Sequence, residues 1–197
     1  MPVSSPKRWK RKRGEPSVLV VGVGGLGTAA AIELLRRGVE RVGLADGDRV
    51  EVSNLHRQML HETADIGRMK ATVAAERLAA AAGASIRFVA HTEYVTGENA
   101  PAMFANYRVV IDATDNPAAK FLLNDAAVLL GKPLVHAGVV GLEGQLLTIL
   151  PRESACLRCL FPLPPAEDDV ASCSQAGILG PLAGIVGALE AREAVKC

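Results

Sequence analysis

The sequence has few aromatic residues, almost no net charge and no long apolar run. Aromatic residues make up 4% of the 197 residues and the formal net charge is +1. The core must therefore be filled by aliphatic side chains, and we expect no nucleic-acid partner. No uncharged apolar stretch reaches the roughly 18 residues of a membrane span, so we expect none. No apolar signal segment follows the basic N-terminus, which favours a cytoplasmic protein.

The positive charge is concentrated near the N-terminus. Residues 7–13 read KRWKRKR, and blocks of like charge are typical of solvated tails. We therefore predict a disordered basic arm over residues 1–16 and a single domain over residues 17–197. The alternative is an arm that contacts phosphates or a partner subunit.

Short apolar runs alternate with longer helical segments after residue 17. The pattern predicts strands at 18–22, 41–46, 85–90, 108–113, 133–136 and 144–150, and helices at 25–38, 68–82, 117–130 and 178–195. Residues 162–174 are rich in Pro, Asp and Ser, which is typical of a loop. We predict an α/β fold with a Rossmann-like, mostly parallel sheet flanked by helices and a C-terminal antiparallel extension.

The turn after the first predicted strand is typical of a nucleotide site. It carries Gly22, Gly24, Gly25 and Gly27, which let backbone N–H groups approach a phosphate at a helix N-terminus. Asp46 ends the next strand, about where an acidic residue binds a ribose hydroxyl. An NAD-dependent dehydrogenase would have the same pattern, so this turn alone does not identify the reaction.

The residues that follow indicate triphosphate chemistry. Asn54, Arg57, Lys70 and Asp115 are predicted near the carboxyl ends of strands, where open α/β sheets bind ligands. Arg57 and Lys70 can stabilise charge on phosphoryl oxygens, and Asp115 can hold Mg²⁺. A hydride-transfer enzyme has no need of this arrangement, which disfavours an NAD-dependent oxidoreductase.

Several longer motifs together resemble a known family. They are GVGGLG at 22–27, DGDRVEVSNLHRQ at 46–58, GRMK at 67–70, DATDN at 112–116, CLRC at 156–159 and SCSQAGILGPLAGIVGALEAREAVK at 172–196. The chain is similar over roughly residues 17–196 to the MoeB/ThiF/HesA family, relatives of the ubiquitin-activating enzymes, and most of all to MoeB.

The resemblance implies a function and a set of ligand-binding residues. It implies a homodimeric adenylyltransferase that uses ATP to activate the C-terminal Gly-Gly of a MoaD- or ThiS-like sulfur carrier, in molybdopterin, thiamine or related synthesis. The positions that fall on the family's ATP-binding residues are Gly25, Asp46, Ser53, Asn54, Arg57, Lys70, Asp115 and Asn116. Asp48 lies close enough to Asp46 to belong to the same site.

The cysteines leave several alternatives open. Cys156 and Cys159 form half of a tetrahedral zinc site, which a second CxxC completes in the resembled family. Either the chain is truncated, or the site is lost, or Cys173 and Cys197 supply the other ligands. By resemblance, Cys173 is also the thiol that receives the activated acyl group in some members, and the alternative is a spectator.

One alternative function has no catalysis. Most members of the family carry an Arg-Tyr-x-Arg-Gln motif before the first strand, and residues 7–13 do not contain it. A degenerate relative that binds nucleotide or a partner without turnover therefore remains the second hypothesis.

Overall fold

The chain alternates strands and helices around one sheet in the computed structural model, which describes residues 16–83, 86–165 and 177–197. The strands are β1 (Ser17–Val21), β2 (Arg41–Ala45), β3 (Arg87–His91), β4 (Val109–Asp112), β5 (Leu134–Val140) and β6 (Glu143–Ile149). The helices are α1 (Gly25–Arg36), α2 (Lys70–Ala82), α3 (Ala100–Ala105), α4 (Pro117–Leu130), α5 (Leu157–Leu160) and α6 (Gly180–Ala194). Short 3₁₀ turns lie at Val52–Asn54 and Thr63–Asp65.

The sheet has the strand order β3-β2-β1-β4-β5-β6. Neighbouring strands from β3 to β5 are parallel, and β6 pairs antiparallel with β5. The predicted fold class, including the antiparallel extension, is confirmed. Because β1 lies between β2 and β4, the chain order reverses beside β1, and a crevice at the carboxyl ends of these strands is the expected ligand site.

Apolar cores cover both faces of the sheet. Residues of β1 are fully buried, with Val18, Leu19 and Val20 at 0% exposure, as expected for a parallel strand between helices. One core lies between the sheet and α1, α2 and α6, and the other lies between the sheet and α3 and α4. The helices therefore fix the strands, and the strands fix the loops at their carboxyl ends.

The predicted helices are confirmed, with small differences at their ends. α2 begins at Lys70 rather than at residue 68, because Met69 pairs with Arg49 in an isolated bridge. β5 extends past residue 136 to Val140, because it pairs with β6 along its length. The short helices α3 and α5 were not predicted.

Some predictions lie outside the described residues. They include nearly all of the basic arm and much of the predicted loop at 162–174, so both stay predictions. Over the part of the chain that the structure describes, no helix has the length and apolarity needed to cross a bilayer.

Candidate active site

The glycine-rich turn between β1 and α1 is built on close backbone contacts. Gly22 has a φ of 89°, and a Cβ there would lie 2.6 Å from the carbonyl oxygen of Ala113. A Cβ at Gly27 would lie 1.8 Å from the carbonyl oxygen of Gly22. Both positions therefore require glycine. A Cβ at Gly24 would meet no atom closer than 3.9 Å, so the space before α1 stays open.

Arg57 lies against the N-terminus of α1. A Cβ at Gly25 would lie 3.4 Å from the backbone oxygen of Arg57 and 3.6 Å from its Cγ atom. Gly24, the N-cap of α1, has no side chain to cap the first turn, so backbone N–H groups there remain for an anion. The helix dipole and the guanidinium together make this turn attractive to phosphate.

The Arg57 side chain is held by the 3₁₀ turn that precedes it. Its Nη2 atom donates to Asn54 Oδ1 at 2.8 Å, and its Nη1 atom donates to the backbone oxygen of Ser53 at 3.4 Å. The Ser53 hydroxyl is exposed and lies 3.4 Å from a carboxylate oxygen of Glu51. Asn54 was predicted as a nucleotide ligand, and in the structure it positions the predicted catalytic arginine.

Asp46 joins the end of β2 to the glycine-rich turn. Its Oδ2 atom accepts a hydrogen bond from the Val23 N–H at 2.7 Å, and its Oδ1 atom accepts one from the Asp48 N–H at 2.8 Å. Burial raises the pKa of Asp46, although these two N–H groups and Lys70 oppose the rise. The carboxylate is therefore fixed beside the turn, where a ribose hydroxyl can reach its remaining lone pairs.

Lys70 forms an ion pair with Asp48 at the start of α2. Its Nζ atom lies 2.8 Å from Asp48 Oδ2, and the Lys70 side chain is 8% exposed against 47% for Asp48. Burial alone would raise the pKa of Asp48, but hydrogen bonds from Lys70 and Tyr94 bring it below the usual value. A phosphate that approaches Lys70 must share it with this carboxylate.

Asp115 and Asn116 follow β4 in the loop beside the crevice. Asp115 is exposed, as a residue that meets a metal–phosphate group must be. Asn116 caps α4, because its Oδ1 atom accepts a hydrogen bond from the Ala119 N–H at 2.7 Å. The predicted role of Asn116 in nucleotide binding stays a prediction.

Two groups of polar residues near this edge were not predicted. Tyr94 donates its hydroxyl to Asp48 Oδ1. Asp112, at the end of β4, is fully buried and accepts hydrogen bonds from His136 Nδ1 at 2.7 Å and from Thr114 Oγ1 at 2.6 Å. Tyr94 lies 46 residues from Asp48 and His136 lies 24 residues from Asp112, and no motif links either pair. The contact of Thr114 with Asp112 lies within the DATDN motif, which was its signal.

The two cysteines of the CxxC motif lie together at α5. The Sγ atoms of Cys156 and Cys159 are 3.6 Å apart, close to the roughly 3.8 Å that two Zn–S bonds of about 2.3 Å require in a tetrahedral site. The pair therefore fits half of a zinc site. No cluster of three or more metal-ligating side chains occurs in the described ranges, and Cys173 lies outside them.

Comparison with known proteins identifies the family. The ThiF family matches residues 6–197. The chain belongs to the ThiF family. This match covers the glycine-rich turn, the Arg57 turn, the start of α2 and the CxxC motif, which are the segments that form the crevice and the cysteine pair.

Other known proteins share much of this sequence. The chain is 48% identical over 187 residues to the "Adenylyltransferase and sulfurtransferase uba4" of Aspergillus niger, covering 91% of this chain and 39% of that protein. It is 47% identical over 185 residues to the "Adenylyltransferase and sulfurtransferase MOCS3" of Anopheles gambiae, covering 94% of this chain and 42% of that protein. The chain thus spans about 40% of the length of these relatives.

Solved structures support the same fold. Escherichia coli MccB with ATP superposes with a TM-score of 0.75 at 20% identity, covering 92% of this chain and 55% of that one. MccB alone gives a TM-score of 0.77 with the same identity and 54% coverage of that chain. At this identity the likeness concerns the fold alone.

Proposed function

We propose that this chain is an ATP-dependent adenylyltransferase that activates the C-terminal Gly-Gly carboxylate of a ubiquitin-like sulfur carrier of the MoaD or ThiS type. A carboxylate oxygen attacks the α-phosphorus of ATP, the bond from that phosphorus to the bridging oxygen of the β-phosphate breaks, and pyrophosphate leaves. The carrier ends as an acyl-adenylate. The protein acts as a cytoplasmic homodimer in a molybdopterin, thiamine or related sulfur-transfer route.

The observation that carries the proposal is the position of Arg57 over the start of α1. The backbone oxygen and the Cγ atom of Arg57 lie beside Gly25, in the turn whose geometry suits phosphate, and Lys70 lies at the start of the next helix. Two cations beside a glycine-rich turn match a reaction that spreads negative charge over phosphoryl oxygens. Hydride transfer to a nicotinamide ring would leave both cations without a role.

The proposed reaction needs charge stabilisation more than acid–base chemistry. A terminal carboxylate has a pKa of about 3.5 and is already ionised at neutral pH, so no general base is required. Arg57 and Lys70 bind the phosphates and hold them in line for attack, while Asp46 orients the ribose. The relatives' name, adenylyltransferase and sulfurtransferase, supports a sulfur carrier over other carboxylates as the acceptor of the adenylyl group.

The proposed cofactors follow from the donor atoms. Asp115 would hold Mg²⁺, a hard cation that prefers carboxylate oxygen and that neutralises phosphate charge when bound. Cys156 and Cys159 would supply two zinc ligands, and the remaining ligands must come from Cys173 or another segment. Cys197 is not one of them, because it packs against the core on the other face of the sheet from Cys156. In this proposal zinc is structural, and no step of adenylylation depends on it.

Pyrophosphate–ATP exchange tests the reaction directly. The protein should incorporate labelled pyrophosphate into ATP only when a folded carrier ending in Gly-Gly is present, because adenylylation is reversible until the adenylate is consumed. Arg57→Ala and Lys70→Ala should each lower the exchange rate by about 100-fold or more. Cys173→Ala should leave exchange intact, because an acyl-thiol forms only after adenylylation.

The control is the same carrier without its terminal glycine. Equal exchange with the shortened carrier would contradict the mechanism. ATP binding without exchange, tested with several carriers of the MoaD and ThiS types, would favour the non-catalytic alternative. NADH binding in the absence of ATP binding would overturn both.

A further inference from the structure

Tyr94 presents an open aromatic face beside the candidate nucleotide site. It follows β3 and is 63% exposed. A Cβ at Gly47 would lie 2.8 Å from the Cδ2 and Cε2 atoms of the ring. The ring therefore packs directly on the backbone after β2, and glycine at position 47 makes that contact possible.

The hydroxyl group fixes the orientation of this ring. Tyr94 donates to Asp48 Oδ1, while the other carboxylate oxygen of Asp48 binds Lys70 Nζ. Hydrogen bonding to this carboxylate raises the pKa of Tyr94 to about 12, so the hydroxyl stays protonated and remains a donor. An exposed ring held in one orientation loses little conformational freedom when a flat ligand stacks on it.

The strand order places Tyr94 where the base of a nucleotide would lie. The phosphate turn follows β1, the ribose acceptor Asp46 follows β2, and Tyr94 follows β3, which is the next strand in the sheet. The Asp46 N–H also donates to the His91 backbone oxygen at 3.0 Å, so the ends of β2 and β3 are joined. Parallel strands are about 4.8 Å apart. A shift of one strand along the sheet therefore corresponds to roughly one group of the nucleotide, in the order phosphate, ribose and base.

We propose that Tyr94 is the stacking surface for the base of the bound nucleotide, and this inference rests on the proposed function. The side of the ring that faces away from Gly47 receives the base. The Asp48 carboxylate then connects the base end of the site, through Tyr94, to the phosphate end, through Lys70. Because every base has a π face, the ring contributes affinity with little discrimination among bases.

Isothermal titration with two ligands separates stacking from a structural role. Tyr94→Leu should weaken ATP binding by about tenfold, which corresponds to the 1–3 kcal/mol typical of one base–aromatic stack. Tyr94→Phe keeps the ring and should stay within about threefold of wild type. Inorganic tripolyphosphate has no base, so its affinity should be unchanged in both variants. Phe161→Leu, at an aromatic residue that is also 53% exposed, is the matched control and should change neither affinity.

Four results would overturn the inference. An unchanged ATP affinity in Tyr94→Leu would show that the ring does not contact the base. An equal loss of tripolyphosphate affinity would show that Tyr94 acts through Asp48 and Lys70 instead, and a Tyr94→Phe protein as weak as Tyr94→Leu would lead to the same conclusion. Failure of the wild-type protein to bind ATP would overturn the proposed function along with the inference.

Discussion

The Arg57 side chain depends on Asn54 for its position. The hydrogen bond from Nη2 to Asn54 Oδ1 is 2.8 Å long and partly buried. Asn54→Ala removes this acceptor, and a hydrogen bond to a charged group contributes about 1.5–3 kcal/mol. We therefore expect the exchange rate to fall by roughly tenfold or more, but by less than in Arg57→Ala, because the guanidinium stays near the turn.

Val52→Ala is the control for Asn54→Ala, because Val52 belongs to the same 3₁₀ turn and is 68% exposed. Exchange kinetics at saturating ATP would measure the effect on the chemical step, and urea unfolding would check that the variants stay folded. A loss in Asn54→Ala as large as in Arg57→Ala would indicate that Asn54 contacts the nucleotide itself, as the sequence suggested.

Single residues of the site differ in how well the sequence predicts them. The places of Asp46 and Lys70 in the fold were predictable. Asp46 closes the predicted second strand, and Lys70 lies in the first turn of the helix predicted from residue 68. The contact of Tyr94 with Asp48 joins residues 46 positions apart and follows no periodicity, so only the folded sheet brings them together. The hydrogen bond between Asn54 and Arg57 could have been predicted, because two residues three positions apart in a turn can make this contact.

The packing of α6 against α1 depends on one glycine. A Cβ at Gly187 would lie 2.2 Å from the backbone oxygen of Leu26, whereas a Cβ at Gly184 would meet no atom within 4 Å. Gly187→Ala should therefore destabilise the fold by about 1–3 kcal/mol through overpacking. Gly184→Ala should stabilise it by about 0.5–1 kcal/mol, because alanine is the better helix former.

Urea unfolding of the two alanine variants would test this contact between helices. The two substitutions are identical in chemistry and lie in the same helix, so helix propensity acts equally on both. If both substitutions changed the free energy of unfolding in the same direction, α6 would not approach α1 closely at Gly187.

Long helices were predictable and short ones were not. α4 has Pro117 at its first position and Gly131 after its end, with a φ of 64° at the glycine, and both are strong boundary signals. Helix α3 has six residues and α5 has four, too few for a helical period to appear. Their helical form comes from packing against α4, which a local pattern cannot indicate.

Charged groups are buried where the sheet meets α4 and α6. Asp112 lies 2.7 Å from His136 Nδ1 and 3.5 Å from Lys120 Nζ. Burial would raise the pKa of Asp112, but these partners bring it below its usual value. Glu190 is fully buried nearby, and neither of its carboxylate oxygens has a hydrogen-bond partner among the described residues. Burial, and then repulsion from Asp112, raise the pKa of Glu190 well above its usual value, although Lys120 opposes this.

Glu190 makes the stability of the whole molecule depend on pH. The pKa of Glu190 is higher in the folded state than the ordinary value of 4.5. The contribution of its carboxyl group to stability is therefore fully present below pH 4.5 and is lost as the pH rises towards the folded pKa. Glu190→Gln carries no charge at any of these pH values. We therefore expect its melting temperature to exceed that of wild type at pH 8 by about 2–4 °C, the shift produced by 1 kcal/mol in a protein of this size.

The difference between Glu190→Gln and wild type should shrink towards pH 4, where the buried carboxyl is protonated in both the folded and the unfolded protein. Glu193→Gln lies in the same helix, at a carboxylate paired with Lys196 near the surface, and is the control for the substitution itself. Asp112 affects the pH dependence of stability in the opposite direction, because its lowered pKa gives stability that is lost as the pH falls. Wild type and Glu190→Gln must therefore lose the same amount of stability at low pH. If the melting temperature of Glu190→Gln exceeded that of wild type equally at pH 4 and pH 8, Glu190 would act through packing rather than through its charge.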